Sequence, residues 1–220
     1  MALSAVVFDL DYTLAVVRRD RATLLAEAAA AADVPVEFSR EEYGTAHLRA
    51  HAHETRAPIF ADLLGEDDAG EDLAEAYRAV IARDLEPIDG AEELITDLRD
   101  RYKVGLLTNG PVLAQRDKLA TLGWEELFDA SVVTGELEAG KPDPSAFEAI
   151  LAALDVAPER AVYVGDSVEA DVAGASEAGL LVVQVLYPGG PEPDPRADVH
   201  VDRTDLTAEL PAIVRELGQA

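Results

Sequence analysis

Residues 4–8 form an apolar run rich in β-branched side chains that stops abruptly at the acidic segment Asp9-Leu10-Asp11. A short apolar run bounded by polar residues reads as a strand buried on both faces that delivers polar groups at its end. The pattern recurs. Residues 104–107 lead into Thr108-Asn109-Gly110-Pro111, 131–133 into Thr134-Gly135, 161–164 into Gly165-Asp166-Ser167, and 181–185 into a loop rich in Pro and Gly. Between these runs the apolar positions take helical spacing: 91–101 after Asp89-Gly90, 114–122 closed by Gly123, 145–154, and 171–178 closed by Gly179. A short sixth strand at 199–201 and a closing helix at 208–217 complete the alternation.

Strands alternating with helices predict an α/β fold with a doubly wound, Rossmann-like parallel sheet, whose ligands sit at the carboxyl ends of the strands. Residues 17–87 break the rhythm. They are helical in pattern, rich in Ala and Glu, punctuated by Pro35 and Pro58, and contain no convincing strand. The expected division is a catalytic core of 1–16 and 88–220 interrupted by a small all-helical cap subdomain at 17–87.

Composition narrows the partners. Forty-four acidic residues against 18 basic ones give a net charge of −26, spread along the chain. That balance disfavours nucleic acid and anionic membranes, which are bound through Lys and Arg. Hydrophobic residues make up 49%, too many for a disordered chain. Only Lys103, Lys118 and Lys141 carry an ammonium, and a dispersed acidic surface with so little lysine reads as halophilic, because salt screens the self-repulsion. With no cysteine, disulfides and thiolate chemistry are excluded. The N-terminus lacks the basic lead-in of a signal peptide and no apolar run approaches membrane-spanning length, so a cytoplasmic location is expected. Oligomeric state, monomer or homodimer, is left open.

The chemistry-bearing residues gather at the predicted strand ends. Asp9 and Asp11 suit covalent catalysis by one carboxylate with proton transfer by the other, though a turn or helix cap also uses such residues. Asp166 and Asp171 would join Asp9 if their strands are neighbours, and Asp9, Asp166 and the Asp11 carbonyl then offer the hard oxygen ligands Mg²⁺ takes; helix capping is the plainer alternative. Thr108 and Asn109, before Gly110-Pro111, offer a hydroxyl, an amide and backbone N–H groups to phosphate oxygens, or simply turn the chain. Lys141 sits in the stiff segment Gly140-Lys141-Pro142-Asp143-Pro144, placed to neutralise transition-state charge or to face solvent. In the helical insertion, Arg18, Arg19 and Arg21 suit an anionic substrate or balance nearby acid, and His47, His51 and His53 form a cluster to which no metal site is assigned.

In the order Asp-x-Asp, Thr-Asn, Lys, Gly-Asp-x-x-x-x-Asp, these elements resemble the haloacid dehalogenase-like hydrolases, and among them the phosphatases with a helical cap. The resemblance implies a Mg²⁺-dependent phosphatase of small phosphorylated metabolites. In it Asp9 becomes an aspartyl phosphate and Asp11 serves as acid and then base. Thr108 and Lys141 hold the phosphoryl group, while Asp9, the Asp11 carbonyl and Asp166 bind the metal and Asp171 orients a metal water. A carboxylate at position 11 sets the chain apart from the dehalogenase branch, whose ester intermediate needs no leaving-group acid. Tyr12 departs from the Gly or Asp common there. A phosphomutase, or a catalytically silent binding protein, is the alternative reading.

Overall fold

The computed structural model describes residues 2–49 and 54–219. Strand β1 (Ala5–Phe8) runs into a turn and then β2 (Ala15–Val17). Among the described residues four helices follow: α1 (Arg21–Ala32), α2 (Arg40–Arg49), α3 (Ala57–Leu64) and α4 (Asp67–Asp84). The chain returns through β3 (Leu85–Pro87), α5 (Ala91–Arg99), β4 (Lys103–Thr108), α6 (Val112–Leu122) and β5 (Ala130–Val133). Next come α7 (Pro144–Leu154), β6 (Ala161–Gly165), a π-turn (Val168–Ala173), α8 (Gly174–Glu177), β7 (Leu181–Leu186), β8 (Val199–Asp202) and α9 (Leu206–Leu217).

The main sheet has the order β5-β4-β1-β6-β7-β8, parallel throughout. Alternation along β1 divides the core: Val6 and Phe8 pack with α5 and α9 on one face, Ala5 and Val7 with α7 on the other. With β1 between β4 and β6, the loops after these three strands meet at one edge. That is the crevice where the strand order reverses.

Local signals set the helix ends. Asp20 caps α1 by accepting the N–H groups of Ala22 and Thr23 at 3.1 and 3.0 Å, and Gly123 closes α6 in the left-handed region at φ 73°. Pro144 opens α7 behind its Asp143 cap. Helices α1, α3 and α4 share a separate apolar cluster around Leu24, Phe60, Leu73 and Tyr77. Gly70 lets α4 approach α3, since a Cβ there would lie 2.6 Å from the Ala61 nitrogen.

Two expectations need correction. Residues 17–87 do contain strand: β2 and β3 form an antiparallel ribbon pairing Val17 with Leu85 and Ala15 with Pro87. The segment around Asp171 is not a plain α-helix. The Ser167 carbonyl accepts from both Asp171 and Val172, at 2.9 and 3.0 Å, which widens the first turn. Among the described residues no helix is long and apolar enough to cross a membrane.

Candidate active site

Asp9 follows the last residue of β1, held by its own N–H donating to the Val164 carbonyl of β6 at 2.9 Å. Its Oδ1 accepts from the Lys141 ammonium at 2.7 Å. The same ammonium donates to Asp171 Oδ1 and to the Tyr163 hydroxyl, each at 2.7 Å. Asp9, Lys141, Tyr163 and Asp171 are all buried. Gly165 makes the arrangement possible, because a Cβ at that position would stand 2.6 Å from the Asp171 Cγ.

Burial pushes the Asp9 carboxyl up, Lys141 pulls it back, and Asp171 and Asp166 raise it again, leaving it well above the usual carboxylate range. For Lys141 burial acts downward, but Asp171 and Asp9 outweigh it and hold the ammonium above the ordinary lysine value. Asp166, after β6, is pushed up to about 7 by burial and by Asp171. Its Oδ2 accepts from Tyr187 at 3.0 Å, and Tyr187 stacks on Tyr12 with ring centroids 5.7 Å apart. Oxygens of Asp9, Asp166 and Asp171 lie within 4.8 Å of one another. Three crowded carboxylates served by one ammonium are a set of hard oxygen donors short of positive charge, which suits a divalent cation.

Asp11 belongs to a second group. The chain turns at Leu10–Ala15, with Tyr12 at φ 64° and its N–H on the Ala15 carbonyl at 2.8 Å. The Asp11 carboxylate thereby meets Lys118 of α6, whose Nζ lies 2.7 and 2.5 Å from its two oxygens. Gln115 adds a hydrogen bond at 3.1 Å and Arg21 a contact at 3.5 Å. Burial would raise the Asp11 pKa, but Lys118 and Arg21 override it and keep this carboxyl far below the usual range. Lys118 itself is pushed down to about 8, by burial first and by Arg21 and Arg56 after it, against the pull of Asp11.

Gln115 joins the two strand ends, for its Nε2 also lies 2.6 Å from Thr108 Oγ1 and 2.8 Å from the Asn109 carbonyl. Thr108 is buried at the end of β4. The Asn109 side chain is committed elsewhere: it donates to the Lys141 carbonyl and accepts from the Lys141 N–H, both at 2.9 Å, clamping the loop that carries the lysine.

The structure thus brings Asp9, Lys141, Asp166 and Asp171 into one cluster and Asp11 and Thr108 into an adjoining one. Gln115, Lys118, Tyr163 and Tyr187 were not singled out in the sequence. Scarcity was the available signal for Lys118, as it was for Lys141. His51 and His53 lie outside the described residues, as does the side chain of His47.

A parallel sheet whose central strand ends in a buried aspartate, paired with a lysine and flanked by two further carboxylates, defines an α/β enzyme with its chemistry at the strand ends. Residues 3–179 match the model of the haloacid dehalogenase-like hydrolases, and the chain belongs to that family. It is similar to the glyceraldehyde 3-phosphate phosphatase of Methanopyrus kandleri, 30% identical with 99% of both chains covered. The phosphoserine phosphatase of Thermus thermophilus is 38% identical across 69% of this chain and 64% of its own. The crystal structure of a HAD phosphatase from Thermococcus onnurineus superposes with a TM-score of 0.71 at 28% identity, covering 96% of this chain and 98% of the other.

Proposed function

We propose that the protein is a Mg²⁺-dependent phosphatase of small-molecule phosphate monoesters working through an aspartyl phosphate on Asp9. The observation that carries this reading is the buried Asp9–Lys141–Asp171 arrangement beside Asp166. A free Asp9 oxygen attacks phosphorus, the P–O bond to the leaving alcohol breaks, and Asp11 gives that oxygen a proton. Asp11 then takes a proton from water as the water attacks the aspartyl phosphate, which releases phosphate and restores the Asp9 carboxylate, and once phosphate has left Asp11 gives its proton to solvent.

Asp11 is ionised at rest, the form needed in the second half-reaction. An incoming phosphate dianion shares Lys118 and Arg21 with it and so raises its pKa toward the acid form needed in the first. Lys141 keeps its charge throughout, and with the Thr108 hydroxyl it meets the negative charge of the transferring group. Asp9, Asp166 and the Asp11 carbonyl are the proposed metal ligands, with Asp171 behind them holding Lys141. When bound, Mg²⁺ supplies charge neutralisation for the crowded carboxylates and the phosphoryl oxygens.

Residues 17–87 act in this reading as a cap over the site. Arg21 of α1 reaches Asp11, the Leu113 N–H donates to the Glu54 carbonyl at 2.9 Å, and Arg78 of α4 pairs with Asp117 of α6 at 2.7 Å. Such a lid excludes water and reads the substrate.

The test is release of inorganic phosphate from p-nitrophenyl phosphate with MgCl₂. Asp9→Asn should reduce turnover by at least about 10³-fold, and chelation of the metal should stop it. Retained hydrolysis in Asp9→Asn refutes the mechanism. Isomerisation of a sugar phosphate without free phosphate would instead identify a mutase.

A further inference from the structure

Arg56 is a buried guanidinium without a counter-ion among the described residues. It is 6% exposed, and its Nε has no hydrogen-bond partner among the described residues. No ion pair to it occurs among those residues either, in a chain with 44 carboxylates. Its guanidinium lies over the face of Tyr77, 5.6 Å from Cζ to the ring centroid. Burying a polar donor unsatisfied is costly, so the unpartnered Nε here calls for a partner that arrives from outside.

The position says which partner. Arg56 stands at the start of α3, two residues beyond Glu54, whose carbonyl is tied to the first turn of α6. It lies within electrostatic reach of Lys118, as does Arg21. Arg21 and Arg56 both bear on Tyr77 as well. Three cations, Arg21, Arg56 and Lys118, therefore gather where Asp11 is the carboxylate that Lys118 and Arg21 engage. Lys141, by contrast, is matched to Asp9 and Asp171. The surplus positive charge thus lies beside the proton donor to the leaving group, on residues supplied by the helical insertion.

We propose that Arg56, assisted by Arg21, forms a subsite for a second anionic group on the leaving-group side of the substrate. The substrate class is then a phosphorylated small acid or a bisphosphate, the guanidinium fork suiting either a carboxylate or a phosphate. The proposal rests on the phosphatase reading for the placement of the leaving group, and it is tested by binding as well as by turnover.

Isothermal titration of the Mg²⁺-loaded protein at low ionic strength would use three phosphonates that cannot be hydrolysed: propylphosphonate, 3-phosphonopropionate and ethylenediphosphonate. The second anion should tighten binding at least about tenfold over propylphosphonate, and whether the carboxylate or the diphosphonate gains more identifies its chemistry. In Arg56→Met that preference should collapse toward unity, while Arg56→Lys, which keeps a charge but loses the fork, should retain part of it. Thermal unfolding of both variants checks that they fold, and Arg56→Lys alone decides the matter if Arg56→Met does not. Equal binding of all three probes by the wild-type protein, no binding of the acidic probes, or a preference unchanged in the folded variants overturns the proposal. Failure to hydrolyse p-nitrophenyl phosphate would overturn the phosphatase reading without touching these binding ratios.

Discussion

Replacing Lys141 by Met keeps the length of the side chain and removes the charge that the acidic cluster is built around. Its Nζ makes three contacts of 2.7 Å, to Asp9, Asp171 and Tyr163, with 2% of the side chain exposed. At an effective dielectric of about 20, each carboxylate contact is worth about 6 kcal/mol before desolvation. Desolvation of the ions offsets most of that, and removing one partner of a buried pair costs about 3–5 kcal/mol. A second limit applies: the stranded carboxylates can take up protons, which at neutral pH costs at most about 4 kcal/mol for an ordinary carboxylate. The expected loss is therefore about 3–4 kcal/mol in urea unfolding at pH 7 in EDTA. Asp9 and Asp166 are already raised, and without the ammonium both rise further above their unfolded values. A carboxyl raised in the folded state stabilises below its unfolded pKa and loses that contribution as pH climbs through its folded pKa. The deficit should accordingly shrink on acidification toward pH 5. A divalent cation bound by the same carboxylates should narrow it too, so MgCl₂ should stabilise Lys141→Met more than the wild-type protein. Phosphatase turnover should stay lost in the refolded variant. A variant within about 0.5 kcal/mol of wild type in EDTA, or a deficit that grows on acidification, would refute this account of the cluster.

Away from the site, Asp129 ties the start of β4 to α5: Oδ2 accepts the Val104 N–H at 2.8 Å, and Oδ1 accepts from Arg99 Nη2 at 2.7 Å. Burial opposes ionisation there, but the Val104 N–H and Arg99 outweigh it and lower the pKa. Its contribution is present above the unfolded value and is lost as pH falls through the folded one, so Asp129→Asn should cost about 1 kcal/mol at pH 7 and almost nothing near pH 2. Raising KCl from 0.1 to 2 M should stabilise the protein, since a charge of −26 repels itself less once the screening length falls below about 3 Å; unfolding that becomes easier in KCl would contradict this.

Strand ends were readable because a parallel sheet repeats one device: an apolar run followed by a polar turn. Asp9, Thr108 and Asp166 could be placed from that pattern alone, and the pairing of β1 with both β4 and β6 brings them together. Side chains reaching the site from the flanks were harder to see. Gln115 and Lys118 sit three residues apart on one face of α6, a spacing shared by any polar helix surface, and only the turn at Tyr12 reveals that Asp11 points toward them. Tyr163 reads as an ordinary inward strand residue until its hydroxyl is found on Lys141. The β2–β3 ribbon has three residues in each strand, too few for alternation to register. The widened turn at Val168–Ala173 leaves no trace in apolar spacing, yet it sets Asp171, whose Oδ2 accepts the Ser167 N–H at 2.9 Å, under Lys141.

The three lysines connect the surface to the site. Lys103 Nζ donates to the Leu154 carbonyl at the end of α7, where a cation favours the exposed carbonyls of a helix terminus. Lys118 is paired to Asp11, and Lys141 to Asp9 and Asp171. Every lysine therefore has a defined partner, whereas the remaining basic residues are arginines, many of them in half-exposed pairs such as Arg116 with Glu136 and Arg99 with Asp129. At Lys141 a compact point charge meets Asp9, Asp171 and the Tyr163 hydroxyl, each at 2.7 Å. Two of the three lysines thus answer the carboxylates of Asp9, Asp11 and Asp171 and the third a helix terminus, so each ammonium of this acidic chain is tied to a specific acceptor.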